Sequence, residues 1–260
     1  MVHSGRGRSL TGSRFLPTAV VVPPSFAMPF WNLRRLYAVT LLLFLLLVLW
    51  DASGLDLPLA RLFGGAQGFA WRDHHTFALL THEGPRYASG ALLAALAVGV
   101  WRPWGFLRIM APAQRAQLVL SVIGAMLAVS VFKRLNTTSC PWDLAEFGGV
   151  AQYISHWVWG VRDLGPGHCF PAGHASAAFG FVAGWFVLRR AAPNVARLWL
   201  PGALMAGLAL GWAQQMRGAH FMSHTLWSAW SCWTVGLAWE SLAQLHVRLG
   251  VAADTKLNEA

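Results

Sequence analysis

Leu41-Leu42-Leu43-Phe44-Leu45-Leu46-Leu47-Val48-Leu49-Trp50 is an uninterrupted apolar run inside a longer apolar segment over residues 36–52. It reads as the core of a helix that crosses a bilayer. Similar segments follow at approximately 86–101, 116–132, 175–189, 198–213 and 225–241, each extended by flanking Trp, Gly and Ala toward the roughly 20 residues a crossing needs. Composition agrees, because 56% of the residues are hydrophobic and only 12% are charged, against roughly 25% charged in a soluble domain. The 15 Trp and 15 Phe against 3 Tyr suit belts at the membrane interface. The expected fold is therefore all-α, a polytopic membrane protein built as a six-transmembrane-helix bundle.

The chain divides around that bundle. Residues 1–28 read as a disordered cytoplasmic tail, in which the apolar run Ala19–Val22 is too short for the core of a signal peptide. Residues 29–245 form the six-helix domain, and 246–260 a second cytoplasmic tail. With the N-terminus inside, 13 of the 20 Lys and Arg fall on the cytoplasmic side, which favours both termini inside. The net charge of +10 is spread between apolar runs, with no basic stripe and no nucleic-acid-binding motif, so nucleic acid is not an expected partner. Residues 54–85 mix Leu55, Leu57, Leu59 and Leu62 with Arg61, Asp73, His74 and His75, and read as an interfacial amphipathic stretch on the outside. The same topology puts Lys133, the loop 134–174 and residues 214–224 together on the outer face. Ionisable groups at membrane ends are costly unless they serve a site, so their convergence points to function.

Three clusters carry the chemistry: Lys133-Arg134-Leu135-Asn136-Thr137-Thr138-Ser139-Cys140-Pro141, Phe170-Pro171-Ala172-Gly173-His174-Ala175-Ser176, and Arg217-Gly218-Ala219-His220-Phe221-Met222-Ser223-His224. A phosphoryl group in transfer spreads negative charge over its oxygens and needs cations and N–H donors aimed at it. Lys133 offers a point charge, and the backbone around Ala172 and Gly173 offers an anion-binding nest at a helix start. One His can attack phosphorus while another protonates the leaving oxygen. In order and spacing the clusters resemble the three motifs of the type 2 phosphatidic acid phosphatase family, Lys-x6-Arg-Pro, Pro-Ser-Gly-His and Ser-Arg-x5-His-x3-Asp. The resemblance implies His220 as nucleophile, His174 as general acid, and an active site at the outer membrane boundary.

Departures from the family pattern are specific. Cys140 stands at the first Arg, Ala172 at the Ser, Ala213-Gln214 at Ser-Arg, and His224 at the Asp that orients the nucleophile. Arg134 and Arg217 lie near the emptied positions and are candidates to bind phosphate in their place. His224 is a candidate to orient His220 through a ring nitrogen. A second register makes His224 the nucleophile, but Gly218-Ala219-His220 keeps the family's Gly-x-His and favours His220. His220 and His224 also form an i, i+4 pair without a third ligand at a zinc spacing, so neither a metal nor another cofactor is expected. His74, His75 and His82 read as interfacial polarity.

The loop 142–170 interleaves Trp142, Tyr153, Trp157 and Trp159 with Asp143, Glu146, His156, Arg162 and Asp163. It suits an amphipathic lid, or a Trp belt holding the loop at the bilayer surface. Cys140 and Cys169 share this outer loop, where the compartment permits disulfides, and a bond between them is favoured over two separate thiols. The expected activity is metal-independent hydrolysis of a lipid phosphate or pyrophosphate through a phosphohistidine. Phosphatidic acid, phosphatidylglycerol phosphate, undecaprenyl pyrophosphate and lipid A phosphates are equally compatible substrates. Two alternatives are a lipid phosphotransferase and a lipid-phosphate binding protein without catalysis. The expected location is a bacterial inner membrane, with the site facing the periplasm.

Overall fold

The computed structural model describes residues 32–158 and 160–259, with side chains through Leu249. The expected tail 1–28 and the lid residue Trp159 lie outside the described residues.

Helix α1 (Leu33–Ser53) opens on Asn32, whose side chain accepts the Arg35 N–H at 2.9 Å, and stops at Gly54 in the left-handed region. The amphipathic stretch that follows is built of short pieces: α2 (Asp56–Arg61), a two-residue antiparallel pair (Gly64–Gly65 with Gly68–Phe69), α3 (His75–Ala78) and a π-helical turn (Leu79–Glu83). That turn runs directly into α4 (Gly84–Trp101), with Pro85 in its first turn, where a missing N–H costs nothing. α5 (Pro112–Leu135) ends at the Lys133 cluster. α6 (Gly173–Phe179) continues through a tight turn at Gly180–Gly184 into α7 (Trp185–Ala191), followed by α8 (Pro193–Met216) and the long α9 (Met222–Glu259).

Each of the six apolar segments lies in helix. Among the described residues, four helical stretches are long and apolar enough to cross a membrane: Leu33–Ser53, His75–Ile109, Pro112–Leu135 and Pro193–Met216. The α6–α7 segment and α9 fall outside that group for a physical reason. They form the middle of the bundle, with α9 packed on α1, α5, α6 and α8, and α6 on α8. A central helix has protein on every side, so it tolerates a break, as at Gly180–Gly184, and polar residues such as Ser223, Thr225, Ser228 and Glu240, all fully buried.

The main core joins Leu118, Val122 and Ala125 of α5 to Phe179, Phe186 and Leu188 of the α6–α7 segment and to Trp233 and Leu237 of α9. A smaller core under the loops joins Ala60, Phe69, Leu144, Phe147 and Phe221. At Gly211 a Cβ would overlap the Thr225 side chain, so α8 and α9 approach closely only because that atom is missing. At the end of the bundle away from Lys133, buried Glu240 accepts Arg189 Nη2 at 2.9 Å and Gln244 Nε2 at 2.7 Å, and pairs by charge with Arg190 Nη2 at 2.8 Å.

Candidate active site

The Lys133 loop is shaped by a residue 24 positions away. Buried Asp163 accepts the Ser139 N–H at 2.6 Å, the Ser139 hydroxyl at 2.8 Å and the Gly165 N–H at 3.0 Å. The loop pairs with the segment entering α6 through His168 N–H to Asn136 O at 3.1 Å and Cys169 N–H to Thr138 O at 2.9 Å. Cys140 and Cys169 are joined by a disulfide across this pairing, their Cα atoms 5.2 Å apart. The first and second clusters therefore form one unit. Lys133 lies across its inner edge, where Cδ and Nζ come within 3.4 Å of the place a Cβ would take on Gly173.

α6 is fastened to α9 by backbone. The Ala172 N–H donates to His224 O at 3.0 Å, and the Ser228 hydroxyl lies 2.9 Å from both Ala172 O and His224 O. The expected use of Ala172 is corrected here, since its N–H is taken up inside the protein; the first-turn N–H groups of α6 begin at Gly173. Another carboxylate anchors α9: Asp56 accepts the Ser223 N–H at 3.0 Å as well as the Ser223 hydroxyl and Trp50 Nε1. Asp51 accepts Trp157 Nε1 at 3.0 Å and Trp227 Nε1 at 2.9 Å, which ties the 142–170 loop to the top of α1.

His174 and His220 meet within this frame. His174 Nδ1 lies 3.2 Å from His220 Nε2. The opposite nitrogen of His220 faces Cys169, whose Sγ, already bonded to Cys140, touches Nδ1 at 3.4 Å. The backbone of Cys169 also lies close enough to favour the protonated ring. Burial, followed by the charges of Lys133 and His174, holds His220 well below the usual imidazole range, so the ring is neutral. In the tautomer with its proton on Nδ1, the nitrogen that faces Cys169, the lone pair rests on Nε2 toward His174.

His224 does not take the expected position. It is buried, its ring centroid is 5.8 Å from that of His220, and among the described residues no hydrogen bond joins the two. His224 lies near the backbone of Cys169 instead, and its Nδ1 has no partner among the described residues. The residue against His220 Nδ1 is therefore Cys169 and not His224. Imidazole is too distant here to replace a carboxylate.

Positive charge converges on His174. Burial first, then Lys133, His82, Arg217 and Arg86, push its pKa down to about 3. Arg134 is exposed and is not among the cations acting on His174. Arg217 sits at the end of α8, with Nη1 3.3 Å from Gln214 Oε1, Nη2 3.0 Å from Arg72 O, and its guanidinium over Trp142. Buried Gln214, at the position of a family Arg, thus holds Arg217, and its Nε2 donates to Thr81 O at 3.0 Å. That carbonyl belongs to the π-helical turn, which presents His82 against His174 with ring centroids 4.4 Å apart. Arg86 and His82 were not legible as site residues. Their one signal is an i, i+4 spacing at the outer start of an apolar segment, which puts both on one helix face. His74 instead caps α3, accepting the Phe77 N–H at 3.2 Å.

Cys140, Cys169 and His220 lie close enough together to suggest a metal, but both sulfurs are consumed in the disulfide and the donor set does not fit one. The arrangement unites a buried imidazole, His220, a second imidazole in contact with it, and cations from three helices. Such a site favours a bound anion with a reactive centre beside His220 Nε2.

A family model described as the PAP2 superfamily matches residues 115–247, just over half of the chain. The match takes in Lys133, His174, His220 and His224 and leaves out α1 to α4. No curated protein and no solved structure matches.

Proposed function

The chain belongs to the PAP2 superfamily, and we propose that it is a membrane-embedded phosphatase acting on a lipid phosphate or pyrophosphate through a phosphohistidine. The observation that carries this reading is the 3.2 Å contact between His174 Nδ1 and His220 Nε2 beside Lys133 and Gly173. His220 Nε2 attacks phosphorus, the P–O bond to the lipid breaks, and His174 gives the leaving oxygen its proton. Water then attacks the phosphohistidine, His174 takes the water proton, and inorganic phosphate leaves.

The depressed pKa of His174 bears on the first step. Lys133, Arg217 and Arg86 oppose its protonation, and a phosphate anion among them cancels that opposition. A singly protonated phosphate can therefore bring the proton that His174 hands to the leaving group. Lys133, Arg217 and Arg86 balance the charge on the phosphoryl oxygens.

The reading extends to placement: six helices in a bacterial inner membrane, both termini cytoplasmic, and the site on the periplasmic face. Support comes from the distribution of Lys and Arg and from the gathering of Lys133, His174, His220 and Arg217 at one end of the bundle. A reporter active only outside the cytoplasm should work when fused after residue 160 and stay silent after Arg190.

The deciding experiment is phosphate release by purified protein in detergent, with EDTA, from a panel of lipid phosphates and pyrophosphates. Release that survives EDTA and is blocked by vanadate, which takes the five-coordinate shape of the transition state, is the expected result. No release from any substrate, or release that needs added zinc, overturns it.

A further inference from the structure

Directly below the cationic cluster, a cavity of about 410 Å³ opens between α4, α6 and α8. Its walls are small or apolar: Ala88 and Leu92 from α4, Ala177 and Ala178 from α6, Gly202 and Ala203 from α8. Ala177 and Ala178 follow His174 by three and four residues, so they share its helix face one turn deeper. Pro85, beside Arg86, lines the upper rim. The far end is closed by Trp199, whose Nε1 donates to Phe181 O at 2.7 Å and whose ring packs on Phe181 and Phe106. Ser89, a hydroxyl on the wall, is turned to Ala177 O at 2.8 Å. No wall donor is left to demand a polar guest. From Trp199 to Leu210, α8 follows the cavity for roughly 16 Å at the rise of an α-helix. Leu92 and Leu198, also on its walls, are largely exposed, so the cavity opens sideways to the surroundings of the bundle.

We infer that this groove seats one hydrocarbon chain of the phosphorylated lipid, its phosphate at His174 and its far end against Trp199, so that Trp199 sets the chain length accepted. The inference rests on the phosphatase reading above and narrows its substrate class to amphiphiles with a chain next to the phosphate. Charge selects the occupant, because an apolar slot with cations only at its mouth matches a molecule with an anion at one end and hydrocarbon behind it. A second apolar cavity, about 170 Å³ among Phe132, Phe170, Trp227 and Trp230, is less than half that size and is walled mainly by bulky rings. The sideways opening lets a chain enter from the bilayer without leaving hydrocarbon, while any other chain of the same lipid stays outside.

Two measurements test this on the full-length protein. The first is kcat/KM for lysophosphatidic acids of increasing chain length in mixed micelles, with p-nitrophenyl phosphate as a substrate without a chain. A Cβ at Gly202 would meet no atom within 4 Å, so a side chain can start there without a clash, and Gly202→Phe narrows the groove. This variant should lower the ratio of long-chain to chainless turnover at least about tenfold, and Trp199→Ala should move the preferred chain to a longer one. Equal use of all chain lengths by the wild type, or an unchanged ratio in Gly202→Phe, overturns the groove. The second is photocrosslinking with a lysophosphatidic acid carrying a diazirine at the chain end, mapped by peptide. Label should fall on Phe181 and on residues 199–203; label on Trp227 and Trp230, or spread over all outward-facing helices, overturns it. If the label maps to the groove but no substrate releases phosphate, the catalytic reading fails and the groove stands. If phosphate is released and the label lies elsewhere, the groove fails and catalysis stands.

Discussion

α1 and the α6–α7 segment have opposite relations to their surroundings. The most apolar stretch of α1 has a mean hydropathy of 2.1, yet only 11% of it is buried within the protein. Leu41, Leu42, Leu45, Leu46 and Leu49 all face outward. From Phe179 to Arg189, every residue is buried, and so are Ser228, Ser231 and Glu240 on the neighbouring α9. In water the pattern would be reversed. A hydrocarbon solvent accepts leucine without cost and rejects anything with an unpaired polar atom, so polar groups collect where other helices supply partners. The middle of this bundle is its chemical part, and the periphery is its adapter to the bilayer.

Substitutions can break that contrast. The largest effect is expected at the centre of the site: His220→Asn, which keeps the bulk of the ring, should cut phosphate release by at least about a thousandfold. The unfolding temperature in detergent should move little, and retention of activity would remove His220 from the nucleophile's role. Next is Glu240→Ala, which takes away the carboxylate that Arg189 and Arg190 address; it should destabilise by about 3–5 kcal/mol, read as an earlier thermal transition in detergent. An unchanged transition would mean that the inner charges are solvated and the central helices are less enclosed than described.

A periphery that serves only as adapter should matter at one end alone. Arg86→Ala, at the outer start of α4, should lower kcat/KM about ten- to a hundredfold while folding is kept, because it removes one cation from around His174. No change would confine the anion site to α5, α6 and the α8–α9 turn. The smallest effect belongs to Leu45→Ala on the outward face of α1, expected within about 0.5 kcal/mol and without influence on turnover.

The same contrast explains what could be read from sequence. Helices exposed to lipid announce themselves as leucine runs, and the three clusters were legible because their side chains and spacings are unusual. The central pair, read as the fourth and sixth spans, carries a weaker apolar signal, since burial among helices permits Ser, Thr and Glu there. Arg134 lies apart from Lys133 because successive helical residues point about 100° apart, so the helix that aims Lys133 at Gly173 turns its neighbour to the surface. His224 looked like a substitute carboxylate, but the residue against His220 Nδ1 is Cys169, and that contact leaves no mark in a sequence. His82 was missed because a π-turn, which shifts the helical register, has no composition of its own.

The place of Cys169 has a consequence for biogenesis. Cys169, which lies against the proposed nucleophile His220, is held by a bond to Cys140. Under the outward-facing topology proposed here, that bond can form only after the loop has crossed the membrane and met an oxidant. Newly made chains on the cytoplasmic side would carry both histidines but not the fixed Cys169 beside them. Assembly would thus act as a safeguard, with phosphatase competence arriving only on the far side of the membrane and phospholipid precursors on the near side spared.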